Sequence, residues 1–383
     1  MKTKPQHLIC FSHLRWDFVY QRPQHLMTRI SGDMKVTYIE EPVFDNEGEP
    51  NYHHHDISDS LTIIKPQLSS GLSKAEENVQ LELLLSDFVG RKHNEELLFW
   101  YYTPMALEFS RSFSPGMVVY DCMDELSAFK FAPPILKELE AELFTKADLV
   151  FTGGQSLFEE KRKFHSLAFP FPSSIDKAHF GAARNIAEMP QDQELIEGIK
   201  IGFFGVIDER FDIELIREMA ERRSSWQIIL IGPVVKIDPS ILPQASNIHY
   251  LGSKTYDELP AYLSGWDIAL IPFLLNESTR FISPTKTPEY LAAGVPVIST
   301  PIRDVVDPYG TEKLVSICST VEEFIEAADM ELSRDEYNKS VWLLDVDCFL
   351  STISWDKTTL SMLSLINNYW DQKLKSFSES AYV

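Results

Sequence analysis

The chain has 383 residues, 44% of them hydrophobic and 24% charged, a globular composition with length enough for two domains with separate cores. Acidic residues outnumber basic ones 57 to 35, a formal charge of −22, with 19 basic and 27 acidic residues through position 190 and 16 and 30 beyond it. Neither half has the basic surplus that polyanion binding needs, which excludes a nucleic-acid partner but not a small phosphorylated ligand held by a few local cations. Cys10, Cys122, Cys318 and Cys348 lie far apart in no metal-like or paired spacing, as expected of free thiols in a reducing cytoplasm. The first apolar run, Leu8 to Phe11, is too short for a signal peptide core, and no stretch approaches the ~20 apolar residues of a spanning helix. The expectation is a cytoplasmic protein.

Short apolar runs alternate with helical patterns along the chain. Strands are expected at His7–Ser12, Lys35–Glu40, Leu61–Lys65, Leu97–Tyr102, Met117–Asp121 and Asp148–Thr152, with helices at Tyr20–Ile30, Ala75–Val89, Ile135–Thr145 and Gln155–Phe164. The strands are continuous rather than alternating apolar runs, which argues for a parallel sheet covered by helices on both faces. Between Pro170 and Pro190, prolines, serines and Gly181 interrupt the periodicity, and a linker is placed there. A second series follows: strands at Lys200–Phe204, Trp226–Ile231, Asn247–Leu251, Asp267–Ile271 and Pro296–Ser299, and helices at Ile213–Arg222, Tyr256–Leu263, Pro284–Ala293 and Val321–Met330. Asp356–Lys375 reads as a long amphipathic helix. The fold class is α/β, two doubly wound Rossmann-like domains facing a cleft: residues 1–185, residues 186–355, and a terminal segment 356–383 packing back on the first domain. Ligands of such sheets bind at the C-terminal strand edges.

The most informative stretch is NESTRFISPTKTPEYLAAGVPVIST, residues 276–300. Ser283 is placed to cap a helix, Pro284 suits its first position and Gly294 its stop. Such a helix start, with Ser283 and Thr285, offers free amides and a positive dipole end to an anion. Lys286 adds a full charge, and Glu289, three residues on, shares its face and suits a ribose diol. A Lys–Glu pair on a solvated helix face has the same spacing.

The run SPTKTPEYLAAGVPVIST resembles the donor-site signature of GT-B glycosyltransferases, and IGFFGVIDERFDIELI, WQIILIGPV, NIHYLGSKTYDELPAYLSGWDIALIPF and FSHLRWDFVYQRPQHLMTRIS agree with it. Together they resemble bacterial group 1 glycosyltransferases of teichuronic-acid and capsule synthesis. The resemblance implies that Lys286 contacts a pyrophosphate, Glu289 a ribose, and a basic residue in the loop Gly205–Asp212, here Arg210, the donor phosphates. It implies a UDP-linked nucleotide sugar as co-substrate, no resident cofactor and no metal. Pro233 and Tyr256 fall near the base, or are turn and core residues. Many retaining members carry an acid where this chain has Phe281; Glu277 lies four residues further back, and Thr279 and Arg280 are the alternative polar contacts.

Any general base belongs to the first half, in one of two clusters at strand ends: His13, Arg15, Trp16, Asp17 and Arg22, or Asp121, Asp124 and Glu125. Asp17 and Asp124 are the candidates, each also readable as a cap or ion-pair member. His13, Arg15, Trp16 and Arg22 either hold the acceptor or brace their loop. His53-His54-His55 reads as a surface loop rather than a metal site. Lys161-Arg162-Lys163 either complements a helix dipole or touches anionic lipid, so that peripheral contact with the inner membrane face would fall to the first half. The expected partners are a nucleotide sugar and a glycan or lipid-linked acceptor. A same-fold epimerase or phosphorylase and a non-catalytic scaffold are the competing functions.

Overall fold

The computed structural model describes residues 4–90 and 96–380, with side chains through residue 375. The first sheet holds eight strands: β1 (His7–Phe11), β2 (Lys35–Ile39), β3 (Asn51–Ser58), β4 (Leu61–Gln67), β5 (Leu97–Tyr101), β6 (Met117–Cys122), β7 (Leu149–Thr152) and β8 (Ala168–Pro170), in the order β3-β4-β2-β1-β5-β6-β7-β8. The second holds β9 (Ile199–Phe204), β10 (Trp226–Ile231), β11 (Ile248–Gly252), β12 (Ile268–Ile271), β13 (Val297–Ser299) and β14 (Val315–Ile317), in the order β11-β10-β9-β12-β13-β14. Every pairing between these strands is parallel except β3 with β4. The continuous apolar runs explain why: all five residues of β1 are buried, because helices cover both faces.

The order of strands reverses direction between β1 and β5 in the first sheet and between β9 and β12 in the second. Flanking loops part at these switch points and leave crevices above the strand ends.

Three strands depart from the sequence reading. The His53-His54-His55 segment is not a loop but the edge strand β3, with His54 opposite Ile64 of β4. Successive side chains of a strand point to opposite faces, so the three imidazoles do not converge. Most of β3 is solvent-exposed, and without a buried face it carries no hydrophobic signal. The strands β8 and β14 are three residues each, too short for periodicity to register. A further helix, Glu336–Leu350, places Trp342, Val346 and Leu350 in the second core.

The last helix, Trp355–Ser380, returns to the first sheet. Trp355, Met362, Ile366 and Trp370 are almost fully buried among Leu26, Ile30 and Met117, at roughly 1.5–3 kcal/mol for each large apolar side chain. The Tyr369 hydroxyl donates to Asp148 at 2.7 Å, and Arg29 pairs with Asp356 at 2.6 Å. The chain thus crosses between the sheets twice, at residues 171–198 and near Trp355, where the Trp355 amide donates to the Ile175 carbonyl.

Candidate active site

A cavity of about 590 Å³ lies between the two sheets, at the switch point of the second. The loops after β9, β10 and β11 form one wall together with residues 282–286 and Glu289, and the β1 loop with Met123, Asp124 and Ser173 forms the other.

On the second-sheet side, the helix Lys286–Ala292 starts later than its sequence suggests. Thr285 stands at the cap position without a side-chain cap. Ser283 is engaged elsewhere: its hydroxyl accepts from the Ser173 amide at 3.3 Å, and its carbonyl accepts from the Ser173 hydroxyl. The serine expected to cap the helix ties the two walls together instead. Within the first turn Glu289 is buried and Lys286 half-buried, and the two act on each other electrostatically. Burial lowers the pKa of the Lys286 ammonium and raises that of the Glu289 carboxyl, the latter against the pull of Lys286 and the Thr285 hydroxyl. Desolvated charges interact more strongly with an incoming ligand than solvated ones. The Lys286 nitrogen sits 5.7 Å from the Phe203 ring centroid and 6.0 Å from that of Phe273.

Gly205, at φ +139°, makes room for this lysine: a Cβ there would fall onto Lys286 Cε and Nζ. Gly232, at φ +140°, similarly lets β10 end against the Gly205 carbonyl. Gly205→Ala is expected to displace the ammonium and strain the backbone, lowering UDP affinity at least tenfold with a fall in melting temperature. Calorimetric titration and thermal unfolding of the variant check both, and unchanged UDP binding would contradict the placement.

Arg210 is held by Asp208 in a forked contact, with nitrogens 2.7–3.1 Å from the carboxylate oxygens. Its guanidinium also lies 5.2 Å from the ring centroid of Phe129, in the first half. Pro233 lines the cleft, and its carbonyl accepts from the Ile207 amide at 3.0 Å. Tyr256 reaches the wall with its ring already stacked, on His179 at 4.1 Å and on Tyr20 at 4.4 Å, so the structure shows it as a packing element between the halves. Arg280 is not among the cleft-lining residues and lies against the Phe281 ring at 5.0 Å. Thr279 is buried and bonded to its own loop.

Across the cleft, the structure separates residues that the sequence grouped. Asp124, Asp17, Trp16 and Arg22 line the cavity, whereas His13 and Arg15 do not. Arg22 is committed to Asp121 through bonds of 2.8 and 3.1 Å and to the Phe171 carbonyl at 2.7 Å. Breaking such a buried pair from one side costs about 3–5 kcal/mol, which makes this arginine a brace. Arg15 reaches Glu40 at 3.1 Å and the Glu41 and Pro42 carbonyls, clamping the β1 loop to the end of β2. His13 is half-buried, its pKa lowered to about 4 by burial and by Lys236. Asp17 is exposed at the rim. Asp124 faces the basic side: burial raises its carboxyl to about 6, against the pull of Arg210, Arg22 and Lys286.

Lys161 belongs to no lipid-facing patch. It is buried, 2.7 Å from both Glu125 and Glu140, because those carboxylates need a cation inside the fold. Among the described residues, no helix is long and apolar enough to cross a membrane. Two cleft-lining residues and one residue behind Arg210 escaped the sequence reading. Lys254, held by Asp192 at 2.6 Å, and Ser173 line the cleft, and Phe129 packs on Arg210. Lys254 stands just after a strand end, a position that could have signalled it.

Residues 199–333 match the family described as glycosyl transferases group 1. The chain is 26% identical over 242 residues to TuaH of Bacillus subtilis (strain 168), provisionally named a teichuronic acid biosynthesis glycosyltransferase. That match covers 58% of this chain and 60% of the relative. Among solved structures, a sucrose-phosphate synthase from Thermosynechococcus elongatus superposes with a TM-score of 0.74 at 13% identity, over 96% of this chain and all of the other. An E. coli trehalose-6-phosphate structure bound with UDP-2-fluoro glucose superposes at 0.69 with 12% identity, over 94% of this chain and 98% of the other. The chain therefore has the GT-B fold, and residues 199–333 of its second half resemble the group 1 glycosyltransferases.

Proposed function

We propose that this protein transfers a sugar from a nucleoside diphosphate donor, UDP-linked, to a glycan or lipid-linked acceptor of the cell envelope. The observation that carries the reading is one cleft in which Lys286, Arg210 and Glu289 stand at the C-terminal edge of the second sheet, facing Asp124 from the first. The diphosphate lies against Lys286 and Arg210, and Glu289 receives the ribose hydroxyls. As the acceptor oxygen bonds to the anomeric carbon, the bond from that carbon to the diphosphate breaks. Charge collects on the leaving phosphate oxygen, where two preoriented cations stabilise it. The acceptor proton passes to Asp124, a carboxylate above pH 6. The UDP-2-fluoro glucose held by the E. coli neighbour supports a uridine donor, and the provisional role of TuaH supports an envelope acceptor.

A thermal-shift screen of nucleoside diphosphates and their sugars tests this. A ligand at a hundred times its Kd stabilises by about 2.7 kcal/mol, a shift of several degrees for a chain of this size. UDP and one UDP-sugar are expected to give it. No shift with any nucleoside diphosphate would overturn the reading.

A further inference from the structure

The first sheet has its own switch point, and a second cavity, of about 480 Å³, opens there. Its floor is made by the ends of β1 and β2 and the segment after β5, through Phe11, Ile39 and Met105, with Phe109 and Leu81 at the sides. The segment after β1, clamped by Arg15 onto Glu40 and Pro42, lines both cavities, this one with Ser12 and the donor cleft with Trp16 to Arg22. The volume is that of a small-molecule site, and the position is where α/β sheets bind ligands.

Its polar groups are concentrated in one cluster. The Lys74 ammonium sits 2.7 Å from Glu77 and 3.6 Å from Glu108, and Glu41 also lines the cavity. Glu40 lines the cavity as well, paired with Arg15 at 3.1 Å and Lys65 at 3.6 Å; the four carboxylates outnumber the three cations, which leaves the lining negative and disfavours an anionic ligand. Glu108 Oε2 is buried, and the Lys74 ammonium that pairs with it stands 3.6 Å away, beyond hydrogen-bond distance. That leaves the oxygen without a hydrogen-bond donor, and a ligand hydroxyl would supply one. Phe44 and Ile135 at the mouth are exposed, at 47% and 42%, and offer apolar surface to be covered.

We propose that this cavity binds the apolar portion of an uncharged, hydroxyl-bearing molecule, whose hydroxyl donates to Glu108 Oε2. Binding stands on the cavity alone; its assignment as a site for the acceptor's neutral, apolar end rests on the transfer reading above. Such an acceptor would carry its reactive sugar past the β1 loop toward Asp124.

The probe is octyl β-D-glucoside below its micelle concentration, with octyl phosphate as its anionic counterpart, titrated calorimetrically into the whole protein. Saturable one-to-one binding of the glucoside is expected, with octyl phosphate at least tenfold weaker. Phe44→Asp and Ile135→Asp, both at exposed positions, are each expected to weaken the glucoside at least tenfold and to leave UDP binding unchanged. No saturable glucoside binding, equal binding of octyl phosphate, or indifference to both substitutions would overturn the proposal. Failure of the wild-type protein to bind UDP would count against transfer, while the glucoside titration still decides the cavity.

Discussion

Lys286→Ala lowers the affinity for UDP about 30-fold or more, read by calorimetric titration, while the chain keeps its fold. The size follows from the environment. A charge-assisted contact to phosphate is worth about 1.5–3 kcal/mol, and each 1.4 kcal/mol is a factor of ten. Lys286 belongs at the upper end because it is already half-buried beside two aromatic rings, so the protein has met part of the desolvation cost before the ligand arrives. Arginine is not an adequate replacement. The slot beside Gly205 leaves no space for a Cβ, and a planar guanidinium is wider than an ammonium. Lys286→Arg is therefore expected to recover less than a third of the lost binding energy. Wild-type affinity in Lys286→Ala would mean that the diphosphate binds elsewhere.

The residues that could be read from sequence are those whose role lies in local spacing. Lys286 and Glu289 are three apart on one helix, and every strand of the second sheet except β14 announced itself by a run such as WQIILI. The start of their helix could not be read, because the hydroxyl of Ser283 is claimed by Ser173, 110 residues earlier. The same limit applies to Arg22, whose partner Asp121 is 99 residues away, and to Lys161, whose basic neighbours gave it the look of a surface patch. A charged side chain's role is set by what the fold brings to it, and spacing along the chain carries no record of a long-range pair. The β3 strand escaped for the opposite reason: an exposed edge carries no apolar period to read. The cleft was legible as a location, at strand ends. The choice of bracing contacts for Arg22 and Arg15, left open by the sequence, was not.

Asp124→Asn is expected to lower kcat by a factor of 10²–10⁴, the usual contribution of a positioned base, without weakening UDP. The second half of that statement separates catalysis from binding. The Asp124 carboxylate shares the cleft with Arg210 and Lys286 and repels a diphosphate, so its removal leaves UDP affinity equal or tighter. Stability should move upward as well. Folding raises this carboxyl from its ordinary value of 3.8 to about 6, chiefly by burial, so between those values the folded state binds more protons than the unfolded one. Stability therefore declines as pH rises through this window, and at pH 7 the ionised group costs of order 1–3 kcal/mol that the amide does not. In the wild-type enzyme, kcat/KM should fall about tenfold per pH unit below 6, because the protonated acid cannot accept the acceptor's proton. The limb in kcat should lie at higher pH, since a bound diphosphate adds negative charge and occupies the two cations that hold Asp124 down. Asp17→Asn, at the exposed rim, changes kcat by less than threefold. If Asp17→Asn instead carries the large loss and Asp124→Asn is active, the base is Asp17 and the acceptor approaches from the rim rather than past Met123.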